Sequence, residues 1–399
     1  MEREDREAVH VKTERIYEDN GMTFRFEAKV MRCSACGDGY ALVLDRTAFF
    51  PEGGGQAADT GRLGDAHVVD VQIKEGEILH YTDLPVAAGT PVTGEVDAQI
   101  RFRRMQNHSG EHVLSGTLHR LYGANNVGFH LGTRDVTVDI DVVLTREELI
   151  RAEEEANRAV AQNLPIRTWK PSAEEADRIP YRSKKEIGED LRLVMIEGVD
   201  CCACCAPHVP FTGQIGMIKI LDAIHYKGGM RLHLLCGLDA ENEWEKTYID
   251  HARAAGALSV KQHEVFEAVS RLLEENAQLR HAVREEKKKA GLLAAQQVPE
   301  DAAFACLRIT DADAQTLREA VVFLTQRQTG IFAACTQENG AVKFCAGSDG
   351  CDMTVLAVFL RETCSARCGG KKDMIQGSAQ IQEEAFCAAL QTFAGQQKA

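Results

Sequence analysis

The chain has 399 residues and a formal net charge of −14, from 60 acidic and 46 basic side chains; 44% are hydrophobic, 27% charged, and 14 are cysteine. This mixture excludes wholesale disorder, and at roughly 150 residues per domain it predicts two or three domains. The acidic balance argues against a general polyanion binder, though not against a local basic groove, and no apolar run nears the roughly 18 residues of a membrane span.

The N-terminal MEREDREAVH has no apolar core. It is not a secretory signal, so the protein is expected in the cytoplasm with its cysteines reduced. The first hundred residues read as β structure. Arg25–Met31 and Tyr40–Phe50 flank a Gly-Asp-Gly turn, and Ala66–Lys74 and Glu77–Tyr81 flank Glu75-Gly76, a hairpin signal. Short strands at this spacing predict a small barrel.

The pattern changes at Arg101. Arg103–Tyr122 predicts a helix stopped by Gly123, and Val136, Val138 and Ile140 alternate as a strand. Thr145 and Glu148 form a capping box for a helix reaching about Gln162, and Ser172 and Glu175 repeat the signal. Leu191–Glu197 predicts a strand; Ile215–His225 and Met230–Cys236 predict a hairpin around Lys227-Gly228-Gly229. Residues 241–290 are helical in composition. Val265, Val269, Leu272, Asn276, Leu279 and Val283 follow a 4-3 spacing, and an Asn at one a position suits a two-stranded coil. A hairpin against 241–258 is the alternative. After Val298-Pro299-Glu300 the last hundred residues alternate strands (Phe304–Ile309, Gly330–Cys335, Val342–Ala346, Thr354–Phe359) with helices (Asp313–Gln326, Ala379–Thr392). The expected fold is α+β and multidomain: a β-barrel with a glycine-rich loop over 1–100, an α+β part with a metal site over 101–240, a helical coiled-coil linker over 241–296, and an α/β domain over 297–399.

Three constellations carry chemistry. His108 and His112, at i and i+4, share one helix face and can reach one metal ion. Cys201, Cys202, Cys204, Cys205 and His208 cluster after an apolar strand, and thiolate and imidazole are the ligands zinc prefers. Cys204 and His208 are the ligand choices; the other three cysteines are substitutes, and Asp200 either orients a ligand or caps the turn. In Phe49–Gln56, Gly53, Gly54 and Gly55 let backbone N–H groups approach a ligand, or form a flexible turn; no Walker or Rossmann spacing follows. Cys33-Ser-Ala-Cys36 is a lone pair read as structural or incidental. Arg101, Arg103 and Arg104, and Arg367, Lys371 and Lys372 around Gly369-Gly370, are candidate phosphate contacts or solvated charges.

Together these pieces resemble the editing half of alanyl-tRNA synthetase and its free-standing relatives, the alanyl-tRNA editing hydrolases. The family's glycine-rich strand and loop stand at Asp45–Gln56, its HxxxH at His108/His112, its Cys-x-x-x-His at Cys204/His208, and its closing hairpin at Thr212–Arg231. The likeness covers about residues 20–236. The helical segment resembles the synthetase's linker, and Cys368–Gly377 the glycine-rich motif of its C-terminal tRNA-binding domain, DHHA1. Two departures are visible. Cys204-Cys205-Ala206-Pro207-His208 replaces Cys-Gly-Gly-Thr-His, and Lys371 and Lys372 stand where an Arg is usual, with Ser378 in place of a common Gly.

The resemblance implies a long-form trans-editing protein that hydrolyses Ser-tRNA(Ala) or Gly-tRNA(Ala) with one Zn2+ held by His108, His112, Cys204 and His208. It implies Thr47 for the serine hydroxyl and Gln56 for polar positioning; Glu111, beside His112, is a candidate base unless it points away from the pocket. Its implied partner is the tRNA(Ala) acceptor end; a second copy through residues 261–286 follows from the 4-3 spacing where that is read as a two-stranded coil. Such an activity has a physical motive: an alanine pocket discriminates glycine or serine only about 10–200-fold. Two other readings compete. His108-Ser-Gly-Glu111-His112 also fits the H-x-x-E-H metalloprotease pattern, and the helical and last segments suit a non-catalytic tRNA-binding protein.

Overall fold

The computed structural model describes residues 12–132, 136–183 and 190–397; the charged N-terminal segment MEREDREAVH lies outside them. The chain forms two compact units, residues 1–251 and 252–399.

In the first unit, Phe26, Ala28 and Val30 alternate inward along β1 (Arg25–Cys36). With β2 (Gly39–Leu44), β3 (Gly61–Leu63), β4 (Ala66–Lys74), β5 (Glu77–Thr82) and β6 (Pro91–Val96) it hydrogen-bonds in the closed ring β1-β2-β5-β4-β3-β6, with β6 pairing back onto β1. Leu42, Leu44, Phe49, Leu63 and Ile78 fill the interior. The strand expected to reach Phe50 ends at Leu44, because the chain leaves the ring there to build the glycine-rich loop. Inside the barrel the fully buried His80 bonds the Thr47 hydroxyl through Nε2 (2.8 Å) and faces the Leu42 carbonyl through Nδ1 (3.2 Å). Burial lowers its pKa to about 4.

Helix α1 (Ala98–Tyr122) begins earlier than expected, since the Asp97 carboxylate accepts the N–H groups of Gln99 and Ile100; Gly123 closes it in a left-handed conformation. The three arginines therefore lie within the helix. Arg101 is fully buried, donating through Nε to Asp59 (2.8 Å) and through its terminal nitrogens to the carbonyls of Gly21 (3.0 Å) and Ala48. Arg104 donates to the Ala58 carbonyl (2.6 Å), and Arg103 pairs with Asp239 at the start of α3 (Leu238–Leu258). The expectation of a phosphate contact is corrected for Arg101: a guanidinium buried against a carboxylate is a structural clamp, whereas Arg103 and Arg104 are half-buried.

The rest of this unit wraps α1. β7 (Asn126–Leu131), β8 (Val136–Ile140), β12 (Ile218–Tyr226) and β13 (Gly229–Cys236) form a sheet ordered β12-β13-β8-β7, with α2 (Arg146–Ala161) in the same apolar core. β9 (Ile166–Trp169), β10 (Leu193–Ile196) and β11 (Asp200–Ala203) form a second, antiparallel sheet. A Cβ on Gly116 of α1 would stand 2.6 Å from both the Val199 carbonyl oxygen and Asp200 Cβ, so glycine is what lets β11 approach the helix.

In the second unit, α4 (Val265–Gln296) precedes a five-stranded sheet of β14 (Phe304–Arg308), β15 (Ile331–Glu338), β16 (Ala341–Ser348), β17 (Arg367–Gly370) and β18 (Met374–Ala379), ordered β14-β15-β16-β18-β17. Helix α5 (Ala314–Arg327) packs with one face of the sheet, and α6 (Met353–Cys364) and α7 (Glu383–Gln396) with the other. Thr354–Phe359, expected as a strand, lies within α6: Asp352 caps it, and Met353, Leu356, Ala357, Leu360 and Cys364 bury one helical face. The expected helix from Ala379 begins at Glu383, because Met374–Ala379 pairs with β16. Phe266, Leu272, Leu279 and Val283 of α4 are exposed, as are Gly369, Gly370, Lys371 and Lys372 at the edge-strand turn. Cys306 and Cys387 are disulfide-bonded, which departs from the expectation that all cysteines are reduced. Among the described residues no helix is long and apolar enough to cross a membrane.

Asp59→Ala leaves Arg101 buried without its counter-charge, and the urea transition of the first unit is expected to lose about 3–5 kcal/mol. The His80 shift sets a pH dependence. Between pH ~6.5 and ~4 the unfolded chain takes up a proton that folded His80 refuses, so stability falls on acidification by about 3 kcal/mol. Comparing urea midpoints across that window should show the loss in the wild type, with this component absent from His80→Gln.

Candidate metal centre

The centre is built where α1 crosses the turn after β11. His108 and His112 project from one face of the helix, with ring centroids 5.5 Å apart, and His208 sets its ring edge-on to both at 5.1 and 4.8 Å. Cys204 Sγ lies 3.4 Å from both His108 Nε2 and His208 Nε2, and the four donor atoms of His108, His112, Cys204 and His208 lie within 4.8 Å of one another. Those separations suit ligands that share one ion at about 2.0–2.3 Å. The three histidines are buried.

Each imidazole is held from behind. His108 Nδ1 faces Gln56 Oε1 at 2.9 Å, His112 Nδ1 faces Asp200 Oδ2 at 3.2 Å, and His208 Nδ1 faces Ser109 Oγ at 3.0 Å. A carboxylate and an amide oxygen only accept, so Nδ1 of His108 and His112 carries a proton, and Nε2 faces inward. Arg182 donates to the other Asp200 oxygen through Nε (2.8 Å) and to Ser115 Oγ (2.9 Å). Arg192 donates to the carbonyls of Cys204 (3.0 Å) and Ala206 (2.9 Å), fixing the turn that carries Cys204 and Pro207.

The electrostatics suit a cation. Burial alone would raise the Cys204 thiol, but the imidazoles of His108 and His208 outweigh it and hold its pKa well below the ordinary value. Burial pulls His208 down to about 3. Burial likewise lowers His112, but its bonds to Asp200 and Cys204 prevail and raise it well above the ordinary range. Burial would also raise Asp200, yet its bonds from His112 and Arg182 lower it. A thiolate ringed by imidazoles is a donor set that a borderline-soft divalent cation fits.

A cavity of about 820 Å3 opens onto this cluster, its wall including Gly54, Gly55, His108, Glu111, His112 and Cys204. Glu111 is buried, and one of its carboxylate oxygens accepts from Asn126 Nδ2. Gly55, at φ +84°, has no room for a Cβ against the Phe129 carbonyl oxygen 2.5 Å away, and this contact brings the glycine loop to β7. Gly53 and Gln56 bridge each other within that loop. Among the cysteines, Cys204 alone joins the three histidines. Burial pushes Cys202 and Cys205 up to about 11, and Cys201 is half-buried on β11.

Thr47 is not part of the cavity wall. Its hydroxyl is enclosed in the barrel, bonded to His80 and accepting the Phe49 N–H (3.1 Å). Sequence reasoning missed Ser109, Asn126, Arg182 and Arg192. Only Ser109, between the two histidines, carried a local signal. The H-x-x-E-H pattern is present, but the other donors beside it are a thiolate and an imidazole, without a distal Glu.

Residues 191–241, which carry Cys204 and His208, match the family "Threonyl and Alanyl tRNA synthetase second additional domain", and residues 5–100 match "tRNA synthetases class II (A)". These two stretches are thus similar to tRNA-synthetase families. The chain is similar to alanine–tRNA ligases. The enzyme of Halorubrum lacusprofundi is 34% identical over 288 residues, covering 69% of this chain and 31% of that protein. The enzyme of Pyrococcus abyssi is 31% identical over 388 residues, covering 92% of this chain and 42% of that protein. The chain spans between about a third and two fifths of the length of these relatives. The C-Ala domain from Aquifex aeolicus alanyl-tRNA synthetase aligns at TM-score 0.21 and 15% identity, covering 23% of this chain and 86% of that one, too distant a likeness to argue from.

Asp200→Asn removes the carboxylate behind His112. Its affinity for added Zn2+, measured by competition with a chromophoric chelator, is expected to fall about 10–100-fold.

Proposed function

We propose that this chain hydrolyses the ester of mischarged aminoacyl-tRNA, removing serine or glycine from tRNA(Ala). The observation that carries the reading is the convergence of His108, His112, Cys204 and His208, the first three on the wall of a cavity edged by the glycine loop. The similarity to alanine–tRNA ligases supports the substrate class. A Cys-containing donor set also disfavours the metalloprotease reading, in which a distal Glu is the third ligand.

The four donors would hold Zn2+, which when bound supplies Lewis-acid polarisation or a stable scaffold for the pocket. The chain's own residues supply the rest. The cavity is within the size range of a small-molecule site, enough to enclose the aminoacyl ester. Glu111, held by Asn126 on the cavity wall, is the group placed to accept a proton from the attacking water. Gln56 orients His108 through its carbonyl oxygen. Because the Thr47 hydroxyl is occupied by His80, selection against alanine falls to the cavity wall.

The test offers the purified chain tRNA(Ala) charged with serine, glycine or alanine, with and without chelator. Loss of the serine or glycine ester at least about tenfold faster than alanine, abolished by chelation, is the expected result. Equal loss of all three would make the chain a nonspecific esterase. Binding of tRNA with no ester loss would leave a tRNA-binding protein without catalysis.

A further inference from the structure

Three cysteines far apart in sequence meet beneath α7 in the second unit. β14 and β15 run parallel with Cys306 opposite Ala333, so Cys335 lies two residues further along the neighbouring strand on the same sheet face. Cys387 comes down onto that face from α7, between Phe386 and Leu390, which are buried in the same apolar core. The three sulfurs lie within 4.8 Å of one another. Cys306 and Cys387 are bonded, with Cα atoms 5.9 Å apart, inside the range that a disulfide spans without backbone movement. Cys335 is the third, buried thiol, whereas Cys306 and Cys387 are half-buried and open to a small reagent.

We propose that these residues form a thiol–disulfide exchange site in which Cys387 is the pivot, able to bond either Cys306 or Cys335 and so tie α7 to either of two adjacent strands. The geometry singles out Cys387. Diagonal neighbours on adjacent strands have Cα atoms about 7–8 Å apart, beyond the reach of a disulfide, so Cys306 and Cys335 do not pair directly. A helix lying over both strands has no such restriction.

The oxidant is a low-molecular-weight disulfide. The Cys387 thiolate attacks one of its sulfurs, forming a mixed disulfide and releasing one small thiolate. The Cys306 thiolate then attacks the Cys387 sulfur and expels the second. The protein gives up two electrons and two protons, and the reagent becomes two thiols. A later attack by the Cys335 thiolate on the Cys387 sulfur releases Cys306 as a thiolate, with no net change of oxidation state. Burial pushes the Cys335 thiol up to about 12, which makes this transfer the slow step.

The test equilibrates the full chain with glutathione disulfide, quenches it by alkylation and maps linked peptides without reduction. Wild type and Cys335→Ser should both contain Cys306–Cys387. Cys306→Ser should contain Cys335–Cys387 in most chains, and Cys387→Ser should contain no Cys306–Cys335 link. A Cys306→Ser chain in which Cys387 is found only free or glutathionylated would overturn the proposal. If that variant does not fold, the wild type is poised across a range of glutathione ratios. A minor Cys335–Cys387 species is then expected, and its absence at every ratio overturns the proposal. So does protection of all three thiols in the wild type by added Zn2+, which would make the cluster a metal site.

Discussion

One buried ion pair couples the barrel to the helix that carries His108 and His112. Asp59 lies just after the glycine-rich loop and accepts from the Phe50 N–H as well as from Arg101 of α1. The same guanidinium reaches the carbonyls of Gly21 and Ala48. Three separate points of chain are therefore held to one side chain about two helical turns before His108. A buried pair of this kind adds little net stability over an apolar one, because desolvation consumes most of the attraction. Its effect is positional: it sets where the glycine loop, with Gln56 at its end, stands relative to His108.

From that coupling the site follows by close packing. Gly116 admits β11, which brings Asp200 behind His112, and Gly55 admits the Phe129 carbonyl, which places the loop beside β7. Each histidine is then oriented from a different element: His108 by the loop, His112 by β11, and His208 by Ser109 on α1 itself. Interlocking of this kind narrows the positions open to the four donors, which a shared ion requires. It also explains why Arg182 and Arg192 matter without touching the centre, since one holds Asp200 and the other holds the turn bearing Cys204.

The parts of the molecule that were legible beforehand are those governed by local periodicity. The i, i+4 pair His108/His112, the capping boxes at Thr145 and Ser172, and the hairpins at Glu75-Gly76 and Gly228 each need only neighbouring residues to be recognised. Thr354–Phe359 misled because its apolar run suits a strand or a helix equally. The deciding features were the Asp352 cap and the sheet that buries Leu356 and Leu360. Arg101 misled for a related reason: three arginines in four positions look like a basic patch until two carboxylates distant in sequence, Asp59 and Asp239, pair with all three.

What the sequence by itself determined is the set of donors, the glycines and the order in which they occur, because residue type and short-range spacing decide which chemistry a side chain can perform. What only the tertiary structure decided is which donors meet and which are spent elsewhere. Cys204 rather than Cys201, Cys202 or Cys205 joins the histidines, Thr47 is bonded to His80 inside the barrel, and Cys306, Cys335 and Cys387 converge from three elements. The physical reason is that side-chain roles are set by partners within a few ångströms. Those partners arrive through strand pairing and helix packing across tens to more than a hundred residues, where no local pattern records them.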